Sequence, residues 1–230
     1  VTPTRSLPRA LVSAGALREG AGEAAARGGE LADLRGDALG HGVLQAAAVV
    51  RDAGVHTVLV DDADIADLVR GHGLHAVTSG EADVDSSVLY GLPGSGTTPA
   101  MQLVGRIVST KPLRAGEAVS YGYLHRASAD TTVALVTGGY AQGIVRALGN
   151  SAYVEIDGAL RPIVGRVAMD VCVVDLQDSA ADVATGADVV YFGGSGVACD
   201  ALADWADVTG LGIAELITVA GSKAVREWTR

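Results

Sequence analysis

The chain has 230 residues, 49% of them hydrophobic, and a formal net charge of −10. That is enough to bury one large core or two small ones, and it argues against a nucleic-acid partner, since a phosphate-binding surface needs clustered cations and the arginines here are scattered. No basic, apolar presequence opens the chain and no apolar run approaches the ~20 residues that span a bilayer, so a soluble, cytoplasmic protein without a membrane partner is expected.

From Ala14 to about Val77 helix and strand alternate. An Ala-rich helix over 14–27 precedes a strand near 30–35, a helix over 42–53, the strand His56–Val60 and a helix over 62–71. Short continuous apolar strands between helical stretches indicate βα units with two or three parallel strands. Asp61, Asp62, Asp64 and Asp67 cluster at a helix start, where the macrodipole favours negative charge, so capping explains them better than a metal does. The segment Gly91-Leu-Pro-Gly-Ser-Gly-Thr-Thr-Pro99 is a loop or hinge. After Asp85 the pattern changes to β-branched runs broken by turns: Leu103–Thr110, Ala118–Tyr123, Thr131–Thr137, Ala152–Ile156, Ile163–Val167, Val171–Leu176 and Val189–Phe192. Two short helices, near Asp200–Thr209 and Ile213–Val219, close this all-β unit. Cys172 and Cys199 lack a CxxC or His-paired spacing and are read as ordinary small apolar residues of a reduced compartment. No metal site is expected.

The second half also carries three motifs, Ala118-Val-Ser-Tyr-Gly122, Gly139-Tyr-Ala-Gln-Gly143 with Arg146 following, and Pro162-Ile-Val-Gly-Arg-Val-Ala-Met-Asp170; the first half carries Asp37-Ala-Leu-Gly-His-Gly42. In order and spacing these resemble the alanine racemase family over nearly the whole chain. The resemblance implies an α/β plus β fold: a remnant of a (β/α)8 barrel over residues 1–91, with Glu30–Gly42 as its first strand and turn, a linker at 92–99, and the family's C-terminal β domain over 100–230. Most of the later barrel strands are missing between the region of His75 and Asp85.

The family interconverts L- and D-alanine through a pyridoxal phosphate Schiff base, with a base on each face. Residue by residue, the resemblance places the Schiff-base lysine on Arg35, whose guanidinium stays protonated and is a very poor nucleophile. The opposite base, delivered across a dimer interface in the family, falls on Tyr140. The substrate-carboxylate segment falls on Met169 and Asp170, and the motif aspartate on Gln142. Leu39 and Ser222 stand where the family has phosphate-binding tyrosines. The chain's two lysines, Lys111 and Lys223, read as solvated surface residues, Lys111 in an exposed turn before Pro112 and Lys223 where the family has an arginine.

Three readings are open at this point. The leading one is a non-catalytic, racemase-like binding or assembly protein with no cofactor. It would be a homodimer that buries the exposed strand edges of its barrel remnant, or would assemble with a racemase-like partner subunit. The second is an active, pyridoxal-phosphate-dependent racemase. The third is a non-covalent binder of a small amino acid or carboxylate held by Tyr140 and the backbone around Met169. A phenol without activating partners, with an ordinary pKa of ~10, is a poor base at neutral pH, so Tyr140 is read as an interface tyrosine rather than an acid/base. His41 is read as a turn residue, and Gly36–Gly42 as a simple βα turn rather than a phosphate cradle.

Overall fold

In the computed structural model, residues 7–120, 122–177 and 183–230 are described. The chain starts with a strand, β1 (Arg9–Ser13), whose last residue caps the Ala-rich helix α1 (Ala14–Ala26): Ser13 Oγ accepts from the Ala16 N–H at 3.1 Å. Three βα steps follow. They comprise β2 (Leu31–Asp33), the short turn α2 (Arg35–Leu39) and helix α3 (Val43–Asp52); β3 (Thr57–Leu59) and α4 (Ala63–Arg70); and β4 (His75–Val77) with α5 (Ser86–Tyr90). β2, β3 and β4 form a parallel sheet in that order. Ala32, Val58 and Ala76 are buried with the inner residues of α1, α3 and α4 in one core.

The second unit contains β5 (Met101–Leu113), β6 (Ala118–Val119), β7 (His125–Arg126), β8 (Thr131–Thr137), β9 (Tyr153–Ile156), β10 (Ala159–Pro162), β11 (Val171–Asp175) and β12 (Asp188–Phe192). It ends in α6 (Ala201–Thr209), α7 (Ile213–Lys223) and β13 (Val225–Thr229). The large sheet runs β10-β9-β12-β5-β1-β13, with β8 on β5 and β11 on β8. β5 pairs with β1 and β12 through its first half and with β8 through its second, a register shift between Ile107 and Ser109 marking the change. The core between this sheet and α6 centres on Trp205, which meets the rings of Tyr191 and Phe192 edge-on at 6.3 and 5.4 Å.

Several elements differ from the sequence expectation. β1, β7, β10 and β13 are additional strands, and β4 is the third parallel strand, for which the expectation carried no range. β1 lies in the large sheet, antiparallel to β5 and parallel to β13, so it sits with the β unit although residues 1–91 precede the expected boundary. The expected strand Ala118–Tyr123 shortens to β6, because Ser120 and Tyr123 adopt left-handed φ of 69° and 52°; Tyr121 lies outside the described residues. The expected strand Ile163–Val167 reduces to a single bridge from Ile163 to Val174, with Gly165 at φ 71° breaking the extension.

The sequence expectation leaves the edges of the parallel sheet bare for a partner to cover. Instead the chain covers much of them itself. At the outer edge of β2 the Glu30 and Leu31 N–H groups donate to Asp83 Oδ1 at 2.8 and 2.7 Å. The Leu31 carbonyl accepts from the Asp83 and Val84 N–H groups at 3.2 and 3.1 Å, and the Asp33 carbonyl accepts from the Tyr90 hydroxyl at 2.9 Å. At the opposite edge Arg70 donates to the Ala76 carbonyl at 2.8 Å. An edge whose backbone groups are already paired is a poor template for further strands. Among the described residues no helix is long and apolar enough to cross a membrane.

The buried Tyr90 hydroxyl is therefore an edge cap as well as core. Tyr90→Phe keeps the packing and removes the hydrogen bond, and should lower stability by about 1 kcal/mol in urea denaturation with an unchanged m-value.

Candidate functional site

Arg35 stands just past the C-terminal end of β2. Beyond it Gly36, Asp37, Ala38 and Leu39 are left-handed, with φ of 64°, 57°, 56° and 49°, and Gly40 continues at 79°. Consecutive non-glycine residues in this region are costly, so neighbours must hold the turn. α7 supplies one support: a Cβ on Gly40 would lie 2.8 Å from the Thr218 carbonyl oxygen and 3.1 Å from Gly221 Cα, and one on Gly221 would lie 2.7 Å from the Gly40 carbonyl oxygen. Backbone packs on backbone there. Asp37 supplies the other, accepting from the Val43 N–H at the start of α3 at 2.8 Å and pairing with Arg226 of β13.

Most amides of this turn already have partners in or beside it. Gly36 N–H donates to the Asp61 carboxylate at 2.9 Å, Gly40 N–H to the Gly36 carbonyl at 2.8 Å, and Gly42 N–H to the Asp37 carbonyl at 2.8 Å. The Arg35 guanidinium grips Asp33, Nε at 2.9 and 3.1 Å from the two carboxylate oxygens and a terminal nitrogen at 2.5 Å. Partial burial pushes the Asp33 carboxyl up, but the hydrogen bonds and charge of Arg35 outweigh it and hold the group below its usual range. The same hydrogen bond, with the charge of Asp33, raises Arg35 further. Leu39 packs between the two hydrophobic cores, and the exposed Ser222 turns its hydroxyl to the Thr218 carbonyl at 2.7 Å.

Of the two lysines, Lys223 ends α7 in an exposed position, while Lys111 is exposed within β5 opposite Val133, a strand position rather than the expected turn. The aspartate cluster divides its tasks: Asp62 caps α4 through the Ile65 N–H at 2.9 Å, Asp67 pairs with Arg70 at 2.7 Å, and Asp61 reaches back to Gly36. Among the described residues no group of three metal-ligating side chains converges.

His41 is more than a turn residue. It is fully buried, its ring lies 4.7 Å from that of Tyr90, and Nδ1 donates to the Ala38 carbonyl at 2.8 Å, while Nε2 has no hydrogen-bond partner among the described residues. Burial lowers its pKa to about 4 against the two carbonyl contacts, with Arg226 adding to the depression and Asp37 opposing it.

Tyr140 lies on another face of α7. It opens a 3₁₀ turn, Tyr140–Gln142, whose backbone is pinned to the third motif: Tyr140 N–H donates to the Ala168 carbonyl at 2.9 Å and Ala141 N–H to the Met169 carbonyl at 3.0 Å. Gly139 has no room for a side chain, since a Cβ would sit 2.3 Å from the Met169 oxygen. Gln142 is buried and works at both ends, Oε1 accepting from the Gly139 N–H at 2.9 Å and Nε2 donating to Asp170 Oδ1 at 3.0 Å. An aspartate in its place would set a second carboxylate toward Asp170. The Arg146 guanidinium sits 5.6 Å from the centre of the Tyr140 ring.

Two cavities flank this pair. One, of 410 Å³, is bordered by Ala168 and the exposed Met169; the other, of 380 Å³, runs along α7. The structure thus brings Tyr140, Met169 and, through Gln142, Asp170 together. Arg35, Leu39 and Ser222 gather on the α2 side of α7 and border neither cavity. Sequence reasoning missed the Asp37–Arg226 pair and the position of Arg146; the glycines at 36, 40 and 42 were the available signal for the left-handed turn.

The burial of His41 and the bridging by Gln142 each have a measurable consequence. An unfolded histidine protonates near pH 6.5, whereas His41 stays neutral in the fold down to about 4. The stability it contributes is complete above pH 6.5 and drains away as pH falls toward 4, by on the order of 3 kcal/mol; denaturant unfolding across that range should show the loss, and His41→Leu should flatten it. Gln142→Ala should cost about 1–3 kcal/mol by stranding the Gly139 N–H, with Gln142→Glu failing to recover the donor to Asp170.

Comparison with known proteins agrees with the motifs. Residues 100–228 match the family model described as the alanine racemase C-terminal domain. An alanine racemase of Mycolicibacterium vanbaalenii is 41% identical over 133 residues, which is 58% of this chain and 34% of that protein, so the chain matches about a third of the length of such a relative. Among solved structures, the alanine racemase of D-cycloserine-producing Streptomyces lavendulae aligns over 100% of this chain and 98% of its own at TM-score 0.83 and 18% identity. That of Bartonella henselae, with covalently bound pyridoxal phosphate, aligns over 97% and 99% at TM-score 0.80 and 14% identity. At these identities the structural likeness is one of fold, and the family-model match carries the assignment: the chain belongs to the alanine racemase family.

Proposed function

We propose that this chain is a racemase-family protein without Schiff-base chemistry of its own, whose role is binding or assembly through its intact β domain. The observation that supports this most directly is the Arg35–Asp33 fork at the position the resemblance gives to the family's lysine. A guanidinium held by a carboxylate has no free electron pair to attack an aldehyde. The surrounding turn also fits a cofactor phosphate poorly: the Arg35, Gly36, Ala38, Gly40 and Gly42 amides already donate to Asp33, Asp61, Leu34, Gly36 and Asp37, and the Asp37 carboxylate occupies the start of α3 where an anion would be welcomed. Leu39 offers no side-chain hydrogen bond, and the Ser222 hydroxyl is engaged with Thr218. These residues do not fit pyridoxal phosphate.

The division into a barrel remnant over 1–91, a linker over 92–99 and a β domain over 100–230 belongs to the same proposal, with β1 as the strand that ties the first part to the second. So does a homodimer, with a racemase-like chain as the alternative partner. We take the exposed Tyr140 and Met169 surface, rather than the barrel remnant's strand edges, as the face of that association, since edge groups of the small sheet already have partners within the chain.

The test is an absorbance spectrum after incubation with pyridoxal phosphate and desalting, followed by borohydride trapping and intact mass. No retained aldimine band and no adduct is the expected result, and D-alanine formation should equal the protein-free blank. An adduct located on Lys111 or Lys223 with a retained band would overturn the proposal. Arg35→Lys should not restore the band, because Asp33 would hold the new ammonium protonated; a retained cofactor linked to the substituted side chain of that variant would show that the arginine alone had silenced the site.

A further inference from the structure

Strands β9 and β10 and the start of α6 enclose a cavity of 200 Å³ that shares no bordering residue with the two beside Tyr140. Tyr153, Leu160 and Val197 form its rim and are 52%, 46% and 56% exposed, while the fully buried Trp205 lines its inner end. Both parts are held in place. Glu155 accepts from the Ala198 N–H at 3.0 Å and so fixes the rim segment, and the rings of Tyr191 and Phe192 fix the indole edge-on.

Three polar groups on this cavity are unspent. Asp200 stands at the N-cap position of α6 yet caps no amide with its carboxylate, whose neighbour is the Cys199 thiol. Asp204, exposed in the first turn of α6, makes no hydrogen bond or ion pair among the described residues. The helix dipole favours acidic residues there, but its roughly half unit of positive charge does not cancel two carboxylates. No lysine or arginine borders the cavity, so its mouth is negative. At the inner end, Trp205 Nε1 has no hydrogen-bond partner among the described residues, whereas buried donors are normally paired.

A carboxylate pair alone would suit a metal ion, yet among the described residues no three such ligands converge. A negative mouth, an apolar and aromatic rim and one buried donor call instead for an alkylated cation that carries an oxygen acceptor. A volume below the ~300 Å³ at which drug-sized sites begin keeps that cation small. We propose that this cavity binds a small amino alcohol of the choline type. Its ammonium sits among Asp200, Asp204 and the Tyr153 ring, its methyl groups lie against Leu160 and Val197, and its oxygen accepts from the Trp205 N–H. The same carboxylates repel a phosphate ester, so the ligand is the free alcohol rather than a phospholipid headgroup.

Isothermal titration of the full chain with choline tests this against three comparison ligands. They are 3,3-dimethyl-1-butanol, its uncharged isostere; propyltrimethylammonium, which replaces the hydroxyl by a methyl; and glycerophosphocholine, which adds the phosphate. Choline should bind saturably, and each of the others should bind at least about tenfold more weakly. Joint replacement Asp200→Asn and Asp204→Asn should bring choline down to the level of its uncharged isostere, and Tyr153→Ala on the exposed rim should weaken choline about three- to fivefold. No saturable heat with choline at millimolar concentration overturns the proposal. So does an uncharged isostere that binds as tightly, or choline binding unchanged in both variants. Propyltrimethylammonium binding as tightly as choline overturns the role of Trp205 and with it the amino alcohol, and tighter binding of glycerophosphocholine overturns the free alcohol as ligand. No residue of this cavity belongs to the Arg35 turn or to the Tyr140 surface, so failure here leaves the reading above untouched.

Discussion

Helix α7 is approached by backbone from two directions, and the candidate sites on both sides depend on that contact. Gly40 and Gly221 let the left-handed turn after β2 touch one face, and Gly143, where a Cβ would lie 2.8 Å from Ala220 Cα, lets the Tyr140 turn touch another. Interiors packed at crystal density do not absorb an added methyl at such distances without moving an element. One helix thereby sets where Arg35, Leu39 and Ser222 stand, and where Tyr140 and Arg146 stand. It also lies between them, and Arg35, Leu39 and Ser222 line neither of the two cavities beside Tyr140.

The shortened barrel raises a question that hydrogen-bond accounting answers. A parallel sheet of three strands has two open edges, and unpaired backbone groups there invite either a partner or aggregation. The returning segment 83–90 meets the β2 edge with Asp83, Val84 and Tyr90, and Arg70 meets the β4 edge. The three-stranded unit is also anchored at its ends. Before it, α1 follows directly from β1, and β1 is held between β5 and β13. After it, the Tyr90 carbonyl at the end of α5 accepts from the Ala100 N–H at 3.0 Å, and the Ala100 carbonyl accepts from the Ser13 N–H of β1 at 2.8 Å. The remnant is thus a layer joined to the β unit at both ends, and its own chain meets much of the hydrogen bonding that further strands would supply.

Much of this was legible in the sequence because it rests on local pattern. The period-3.6 runs gave α1, α3, α4, α6 and α7, and apolar β-branched runs gave β3, β5, β8, β9, β11 and β12. What escaped was set by distant partners. β1 and β13 are short strands whose extension depends on each other and on β5, which is remote from β1 along the chain. Ile163–Val167 has a strand's composition, yet Gly165 must bend to let its amide reach the Asn150 side chain at 2.6 Å. At the site, residue identities at Arg35, Tyr140 and Gln142 could be read from the motifs. Their partners could not: nothing in the order of residues announces that Gln142 bridges Gly139 and Asp170, or that Asp37 meets Arg226.

The charge environment around Arg35 makes its presence part of a set. Asp33 at the end of β2, Asp61 after β3 and Asp37 in the turn place three carboxylates about one short segment, and each has a defined donor: Arg35, the Gly36 amide, and Arg226 with the Val43 amide. A site built to hold a phosphate must present unspent donors and net positive potential. Here the Arg35, Gly36, Gly40 and Gly42 amides are committed and the local charge before pairing is negative, so a phosphate seeking those donors would have to displace a bond the turn already makes. A nucleophilic amine needs the opposite of what Asp33 provides, since a neighbouring carboxylate favours the protonated cation. Restoring one side chain would therefore leave the electrostatics of the turn unchanged, so the proposed loss of the cofactor rests on this set of carboxylates as well as on Arg35.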